Sequence, residues 1–562
     1  MNKPESVLSR FLQLMAIMPM MAATSPLFAQ ANTQTVALTG DHAPGTPADV
    51  GFGRLLCASN PSVFSAPTID SLGRVGFRAN LVGPGVNCTG SSSGTFGNDT
   101  GIWTGGNGNL SLVSRAGDPA PGLPDITYGD FVQSYFELIG TSPGIVRSTL
   151  RGLGVTQTNN VAYFHWSGGN TTLMLRKGDG LPEGPPGMTV SGFWFNQPAA
   201  LNVNGQTAMY VGTSDSAGNS GSAILFGTPS NLQLGPHTGT SAPGTPSGVT
   251  FSSIYVPSLN ASNHVFFYSS IEGPGVTFPT SAGLWAGPAD NLALVMRLGD
   301  PAAGVAGGAH YSQIHPNHNR AISDSGQVAF WGRVAGAGIG SNNDDAIWVG
   351  SAGDILLAAR EGDHAPGTPS DEVFVQLGSP AMSNVGVAFP GGSLGSASAH
   401  AGIWRGPVDA LSLIVSSGDH AAGTEPETVF EYNFDYFAMN AMGDVALYGF
   451  LTGPDVITNL NDRGIWLIDL DGTQSLVART GDVLEVGPGD LRTIRALHLL
   501  TGTANGYPIG LNDNRQIAFR AEFTDDSQGI FVATVPEPGS LILFGIASML
   551  VRCRPKSARR YV

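Results

Sequence analysis

The dipeptide Gly-Asp returns along this chain with its aspartate at Asp41, Asp118, Asp179, Asp300, Asp363, Asp419 and Asp482. A carboxylate that recurs so often raises calcium first, because that ion takes roughly six to eight oxygen ligands. One carboxylate per copy is too few for such a shell. The neighbouring residues give another reading. In Gly362-Asp363-His364-Ala365-Pro366-Gly367-Thr368 the carboxylate can accept from nearby backbone N–H groups, Pro presets φ, and Gly takes φ > 0. The seven aspartates are therefore read as structural turns. Calcium is the weak alternative, and no other cofactor is implied.

Other residue types with chemical potential are sparse. His310, His315 and His318 lie within nine residues and could share a metal if their loop folds back. No nearby carboxylate or cysteine completes a motif, so ordinary loop histidines are the favoured reading. His42, His364 and His420 each follow a turn aspartate and mark a repeat position. No credible Gly-x-Ser-x-Gly elbow, His-Glu-x-x-His helix or phosphate loop is found, and Asn342-Asn343-Asp344-Asp345 is too bare for an EF-hand. Glycosidases need only two positioned carboxylates, which no motif reports. No catalytic residue is assigned.

What would position such groups is a tandem array. Between Asp179 and Asp300 the spacing doubles, and a degraded copy fills it: Leu234-Gly235-Pro236-His237, then Ala242-Pro243-Gly244-Thr245-Pro246. With Pro236 in the aspartate position the period is near 60 residues. Each unit has an alternating apolar run into the turn, a stretch with a hydrophobic centre, a turn and strand, and a short strand. The third part recurs at Gly73–Phe77, Asn204–Met209, Asn263–Phe267, Ile322–Phe330, Asn384–Phe389, Asn440–Leu447 and Asn512–Phe519, with Gly144–Leu150 in the irregular second unit. The fourth carries Trp103, Trp166, Phe226, Trp285, Trp348, Trp404, Trp466 and Phe531, read as blade-to-blade packing in preference to sugar stacking.

Four short strands per unit, with Gly, Pro, Asn and Asp between them, predict an all-β fold: a single β-propeller of eight four-stranded blades. The first copy opens on a bare strand, Thr35–Asp41, and the last ends on Gly529–Ala533 without a following strand. Moving the N-terminal strand onto the C-terminal blade closes the ring and removes exposed edges. Seven blades and an open β-solenoid are the alternatives.

Composition agrees. Charged residues are 12% of the chain, glycine and proline (78 and 38 of 562) make up about a fifth, and 41% is apolar, enough for a core. The net charge is −16; setting aside the +1 of residues 1–30 and the +4 of residues 536–562 leaves −21 for the body. A body that acidic excludes nucleic acid as a partner.

The ends read as addresses. Residues 1–30 have Lys3 and Arg10, an apolar run Phe11–Met21 and a small-residue segment, the layout of a secretory signal peptide. Residues 31–535 are the repeat body. Residues 536–562 hold Pro536-Glu537-Pro538, an apolar Leu541–Val551 and a basic end with Arg552, Arg554, Lys556, Arg559 and Arg560. Eleven apolar residues span only about 16 Å as helix, so a transient membrane contact is expected. Cys57 and Cys88 are the cysteines of the body and are expected to form a disulfide in an oxidising compartment.

That tail closely resembles the PEP-CTERM sorting signal. The resemblance implies that Pro536, Glu537 and Pro538 are recognised by an exosortase-type processing enzyme, and it points to exopolysaccharide as a further partner. The body resembles exported bacterial proteins with tandem NxxGxxAF repeats. Asn384–Phe389 is one residue shorter than that pattern, and Asn512–Phe519 has Arg515 in place of its Gly. Together these imply a secreted protein of the cell envelope or extracellular matrix, acting as a non-enzymatic binding or structural component. A carbohydrate-active enzyme or a lectin on the same scaffold is the rival.

Overall fold

Short strands that alternate apolar and polar residues and end on Gly, Asn or Asp fold back antiparallel on their predecessors, and this chain does so in every copy. The computed structural model describes residues 31–537 apart from 56–61, 89–96, 130, 132–135, 139–143, 194–198, 315–320, 504–506 and 508. These residues form eight antiparallel sheets, the blades of an eight-bladed β-propeller. Residues Ala31–Val535 make one compact unit. Among the described residues no helix is long and apolar enough to cross a membrane.

Blade 4 shows the plan. From inside outward it has an inner strand in two pieces (Thr250–Ile254 and Ser258–Leu259), then His264–Glu272, Ala282–Pro288 and Ala293–Arg297. The stretch with a hydrophobic centre forms the inner strand, which is interrupted in seven blades. Both pieces pair with the same second strand: Thr250–Ile254 along its C-terminal half, Ser258–Leu259 along its N-terminal half. The interruption is a bulge grown into a loop.

Closure follows the predicted route. Asn32–Leu38 pairs antiparallel with Gln528–Thr534, from Asn32↔Thr534 to Leu38↔Gly529, and takes the outer place in blade 8. The hydrophobic core is correspondingly segmented. Each cluster joins two neighbouring blades: Ala200, Ala208 and Ile224 of blade 3 meet Phe251, Phe267 and Trp285 of blade 4. The cluster around Trp103 joins Ala518, Ile530 and Val532 of blade 8 to blade 1.

The turn before each second strand ties the blades together at the inner end. Asn202 Oδ1 accepts from the N–H groups of Asn204 and Gln206, both at 3.0 Å. Its Nδ2 donates 2.9 Å to the carbonyl of Asn260 in the next blade. Asn260 repeats the move onto Ser323 (2.7 Å), Asn440 onto Asn512 (3.1 Å), and Asn512 onto Asp70 (2.8 Å), which crosses from blade 8 to blade 1. This corrects the register in units three and four, where the repeat asparagine is Asn202 and Asn260, with Asn204 and Asn263 further along the turn. The fourth turn residue needs φ > 0: Gly205 has 72°, Gly443 has 90°, and Asn263 and Arg515 accept it at 64° and 57°.

One segment leaves the plan. After Leu499 the chain exits blade 8, and Gly502 and Thr503 pair in parallel with Ala438 and Met439 of blade 7. The Tyr507 hydroxyl donates to the carbonyl of Pro257 in blade 4, which stands opposite blade 8 in an eight-membered ring. Ile509 then accepts from Ile69 N–H in blade 1 at 3.2 Å. The described residues of this segment therefore touch blades 7, 4 and 1.

Candidate functional site

The Gly-Asp corners join the outer strand of one blade to the inner strand of the next. Gly40 N–H donates to Phe52 O at 2.8 Å and Phe52 N–H donates to Asp41 O at 2.9 Å, and the pattern recurs at Gly362 and Phe374 with Asp363. The carboxylates turn back on their own corner: Asp41, Asp179 and Asp419 accept from the N–H three residues earlier at 2.7–2.8 Å. Asp300 accepts from the Arg297 guanidinium at 3.0 Å. Burial holds the carboxyls of Asp118, Asp179, Asp363 and Asp482 above their ordinary range, against the pull of Arg115, Arg176, Arg360 and Arg479. The carboxylates of Asp41, Asp179, Asp300 and Asp419 thus serve their own turns.

The degraded copy lies four residues further on than the sequence alone places it, at Thr240 in place of Pro236. Gly239 (φ 88°) occupies the Gly position, and Thr240 N–H donates to His237 O at 3.0 Å as each aspartate does to its own i−3 residue. Thr240, and not Pro236, replaces the aspartate. Its hydroxyl accepts from His237 N–H at 3.3 Å and donates to His237 O at 2.6 Å, so a neutral oxygen does the same work. The aspartate positions 179, 240 and 300 are then evenly spaced.

The recurrent tryptophans are packing residues. Trp103, Trp285, Trp348, Trp404 and Trp466 are fully buried, and their indole N–H groups donate to Pro44, Pro243, Ala303, Pro366 and Ala422 of the corner loops at 2.8–3.0 Å. The Gly two residues earlier makes room for the indole: a Cβ on Gly101, Gly283 or Gly464 would stand 2.5–2.9 Å from it. Trp166 is buried, Phe531 takes the same place fully buried, and Phe226 is half-buried.

Of the histidine trio, His310 opens the inner strand of blade 5, while His315 and His318 lie outside the described residues. No three His, Cys, Asp or Glu side chains converge as metal ligands among the described residues. Cys88 is disulfide-bonded; Cys57 lies outside the described residues, as does Pro538, beyond Pro536 and Glu537.

Three constellations escaped the sequence reading because each breaks the repeat. In blade 6, Glu372 is fully buried where the corresponding residues are Val50, Val249, Ala309 and Thr428. It accepts from Ser393 Oγ (2.6 Å), Ser398 Oγ (2.5 Å) and His400 Nδ1 (2.9 Å). Burial pulls its carboxyl up, but these three partners together hold it below the usual range. Aligning the repeats on their corners would have exposed the substitution.

Between blades 6, 7 and 8, the Arg405 guanidinium donates to the carbonyls of Gly443 (3.0 Å), Asp469 (2.8 Å) and Leu470 (2.9 Å). Arg515 lies 3.3 Å from Asp444 and 3.8 Å from Asp469. Burial and a bond to Asp471 push Asp469 up to about 6, while that bond and the Thr473 N–H hold Asp471 at about 2.

The third lies at the inner-strand break of blade 7. Tyr436 on the loop meets Tyr448 (6.3 Å between centroids) and Phe450 (6.2 Å) of the second strand, and those two meet each other edge-on at 5.6 Å.

The chain is only distantly similar to solved structures. The β-propeller domain of the Trilobed protease from Pyrococcus furiosus is 7% identical, with a TM-score of 0.34, covering 75% of this chain and 98% of that one. Trypanosoma rangeli sialidase in complex with the inhibitor DANA is 9% identical at a TM-score of 0.27, covering 84% and 92%. A PL25 ulvan lyase is 10% identical at 0.23, covering 61% and 92%. No curated protein matches the chain. The model of a family of unknown function, DUF7453, matches residues 22–141 and 98–542.

Proposed function

The chain belongs to the DUF7453 family of unknown function, and we propose that this member is an exported, non-enzymatic propeller that serves as a binding or structural component of the cell envelope or extracellular matrix. The signal-like N-terminus and the Pro536-Glu537-Pro538 tail carry the export and exosortase-processing part of the reading. A disulfide at Cys88 fits an oxidising compartment.

The observation that carries the non-enzymatic part is where the repeated polar groups go. Asp41, Asp179 and Asp419 cap their own turns, inner-ring amides bond the next blade, and the Tyr507 hydroxyl is taken up by Pro257 of the opposite blade.

A glycan-active enzyme is the second reading, and the Asp469–Asp471 pair favours it. Carboxyls split to about 6 and about 2 match what a general acid and its ionised partner require. Their direct hydrogen bond argues against it. Glycosidase carboxylates stand about 5–5.5 Å apart, or more, with the sugar between them. The Glu372–His400 dyad likewise lacks a nucleophile arrangement, because Ser393 and Ser398 both donate to the glutamate and not to the histidine.

The test is to incubate the protein with neutral, acidic and amino polysaccharides and assay new reducing or unsaturated ends. None is expected. Turnover of any of them overturns the non-enzymatic reading.

A further inference from the structure

The blade 7 loop 431–436 differs from its counterpart in blade 4. There, three residues bridge the break, and Tyr255 packs edge-on against Tyr268 at 4.9 Å with both rings half-buried. In blade 7 the bridge has six residues, Glu431 to Asp435 and Tyr436. The same Tyr-on-Tyr contact is kept, but Tyr436 is now 48% exposed and Tyr432 65% exposed. Phe434 plugs the loop into the core against Phe430, only 4% exposed. Asn433, with φ 89°, takes a left-handed turn that costs about 1 kcal/mol or more in a residue other than glycine. A buried anchor and a strained corner hold the tyrosines in place.

We propose that this platform, in which Tyr436 packs on Tyr448 and Phe450 and Tyr432 is exposed on the same loop, is a binding site for a neutral polysaccharide. Tyrosine rings offer flat apolar faces to sugar C–H groups and hydroxyls to sugar oxygens, with little side-chain freedom to lose. Two exposed tyrosines on one short loop, one of them packed on two further rings, mark an interaction surface. Charge selects the ligand. Glu431 and Asp435 are exposed on the same loop. The one cation at the platform, Arg463, sits 5.7 Å from the Phe450 ring and is balanced by Asp462 at 3.7 Å. An anionic glycan meets carboxylates there, whereas a neutral one finds acceptors for its hydroxyls. A protein partner is the less favoured occupant, since the exposed residues of the loop itself are aromatic, acidic and amide, and a stable protein interface depletes charge at its core.

This inference rests on the binding reading above and is tested separately from it. The full chain is run by affinity electrophoresis against soluble neutral glycans (galactomannan, dextran, hydroxyethyl cellulose) and anionic ones (alginate, dextran sulfate). Retardation by at least one neutral glycan and by no anionic one is expected. Tyr436→Ala and Tyr432→Ala should each weaken it by about ten-fold, while Tyr436→Trp keeps it and all three keep the wild-type unfolding midpoint. No retardation by any neutral glycan, equal retardation of the alanine variants, or preference for the anionic glycans overturns the site. So does capture of a protein that the alanine variants lose while glycan binding is unchanged. Polysaccharide turnover would instead overturn the non-enzymatic reading and leave the platform standing.

Discussion

The Gly-Asp corners and the breaks in the inner strands belong to the same repeat and behave oppositely. At the corners the Gly-Asp pair recurs in seven of the eight copies, and polar groups close bonds within their own turn, as at Asp419, or to their own tryptophan, as from Trp466 to Ala422. At the breaks the loop length, the aromatics and the charges all vary: a Tyr pair in blade 4, a Tyr–Tyr–Phe platform in blade 7. Uniformity in a repeat marks what every blade needs to pack, and variation marks what one blade does alone. The contrast tells scaffold from site without reference to any other protein.

Substitutions should separate the two regions by size of effect. Trp285→Ala removes a fully buried indole and leaves the Pro243 carbonyl without its donor at 3.0 Å. A loss of about 3–5 kcal/mol is expected, read as a lower denaturant midpoint with an unchanged slope. Tyr436→Ala, a change of comparable bulk at the variable break, should stay within about 0.5 kcal/mol. Equal losses at the two positions would erase the distinction.

Next in size is Glu372→Val. Valine stands at this place in blades 1 and 4, so a purely apolar slot would accept it. In blade 6 the change strands Ser393, Ser398 and His400, and a cost of about 1–3 kcal/mol is expected. A neutral or stabilising outcome would mean that the polar cluster is incidental. Glu372 also carries a pH signature. Its folded pKa is depressed, so its contribution is present above the ordinary carboxylate range and is lost as pH falls through the folded value.

The same contrast governs what was legible in the sequence. Blade count and ring closure could be read because turn chemistry is short-range: Gly, Asp and Pro dictate a corner wherever they stand together. The degraded copy was misplaced because its turn keeps the shape with Thr240 and loses the aspartate that served as its marker. Aligning Thr238–Pro246 with Thr39–Pro47 would have found it. Glu372, Asp469 and Tyr436 were passed over since a reading built on recurrence discards what does not recur. The contact of Tyr507 with Pro257, 250 residues apart in sequence, leaves no local trace.

A smaller effect is expected in the pH dependence of the Asp469–Asp471 pair. Asp469 titrates at about 6 in the fold and near 3.8 ordinarily, so between those values the folded chain holds a proton the unfolded chain has released. Stability therefore falls as pH rises from about 4 to 6. Asp471, held at about 2, does the reverse: its contribution is present above about 4 and is lost as pH falls toward 2. Asp469→Asn keeps a donor for Asp471 and removes the first titration. Urea midpoints measured from pH 3 to 8 should lose their decline between 4 and 6, and a decline that persists would place the responsible proton elsewhere.

The smallest effect sharpens the comparison from the corner side. Thr240 holds its turn with a 3.3 Å bond from His237 N–H, where Asp179 and Asp419 receive theirs at 2.7 Å. A carboxylate accepts more strongly than a hydroxyl, but it is partly desolvated there, as the raised pKa of Asp179 records. His237 also stands where Asp179 has Arg176, so a new aspartate gains no permanent cation. Thr240→Asp should then stabilise the chain by only a few tenths of a kcal/mol. Thermal midpoints of the two proteins measure both the gain and its sign. A large loss would mean that the corner in blade 4 is built for a neutral residue and that the uniformity of the corners is only apparent.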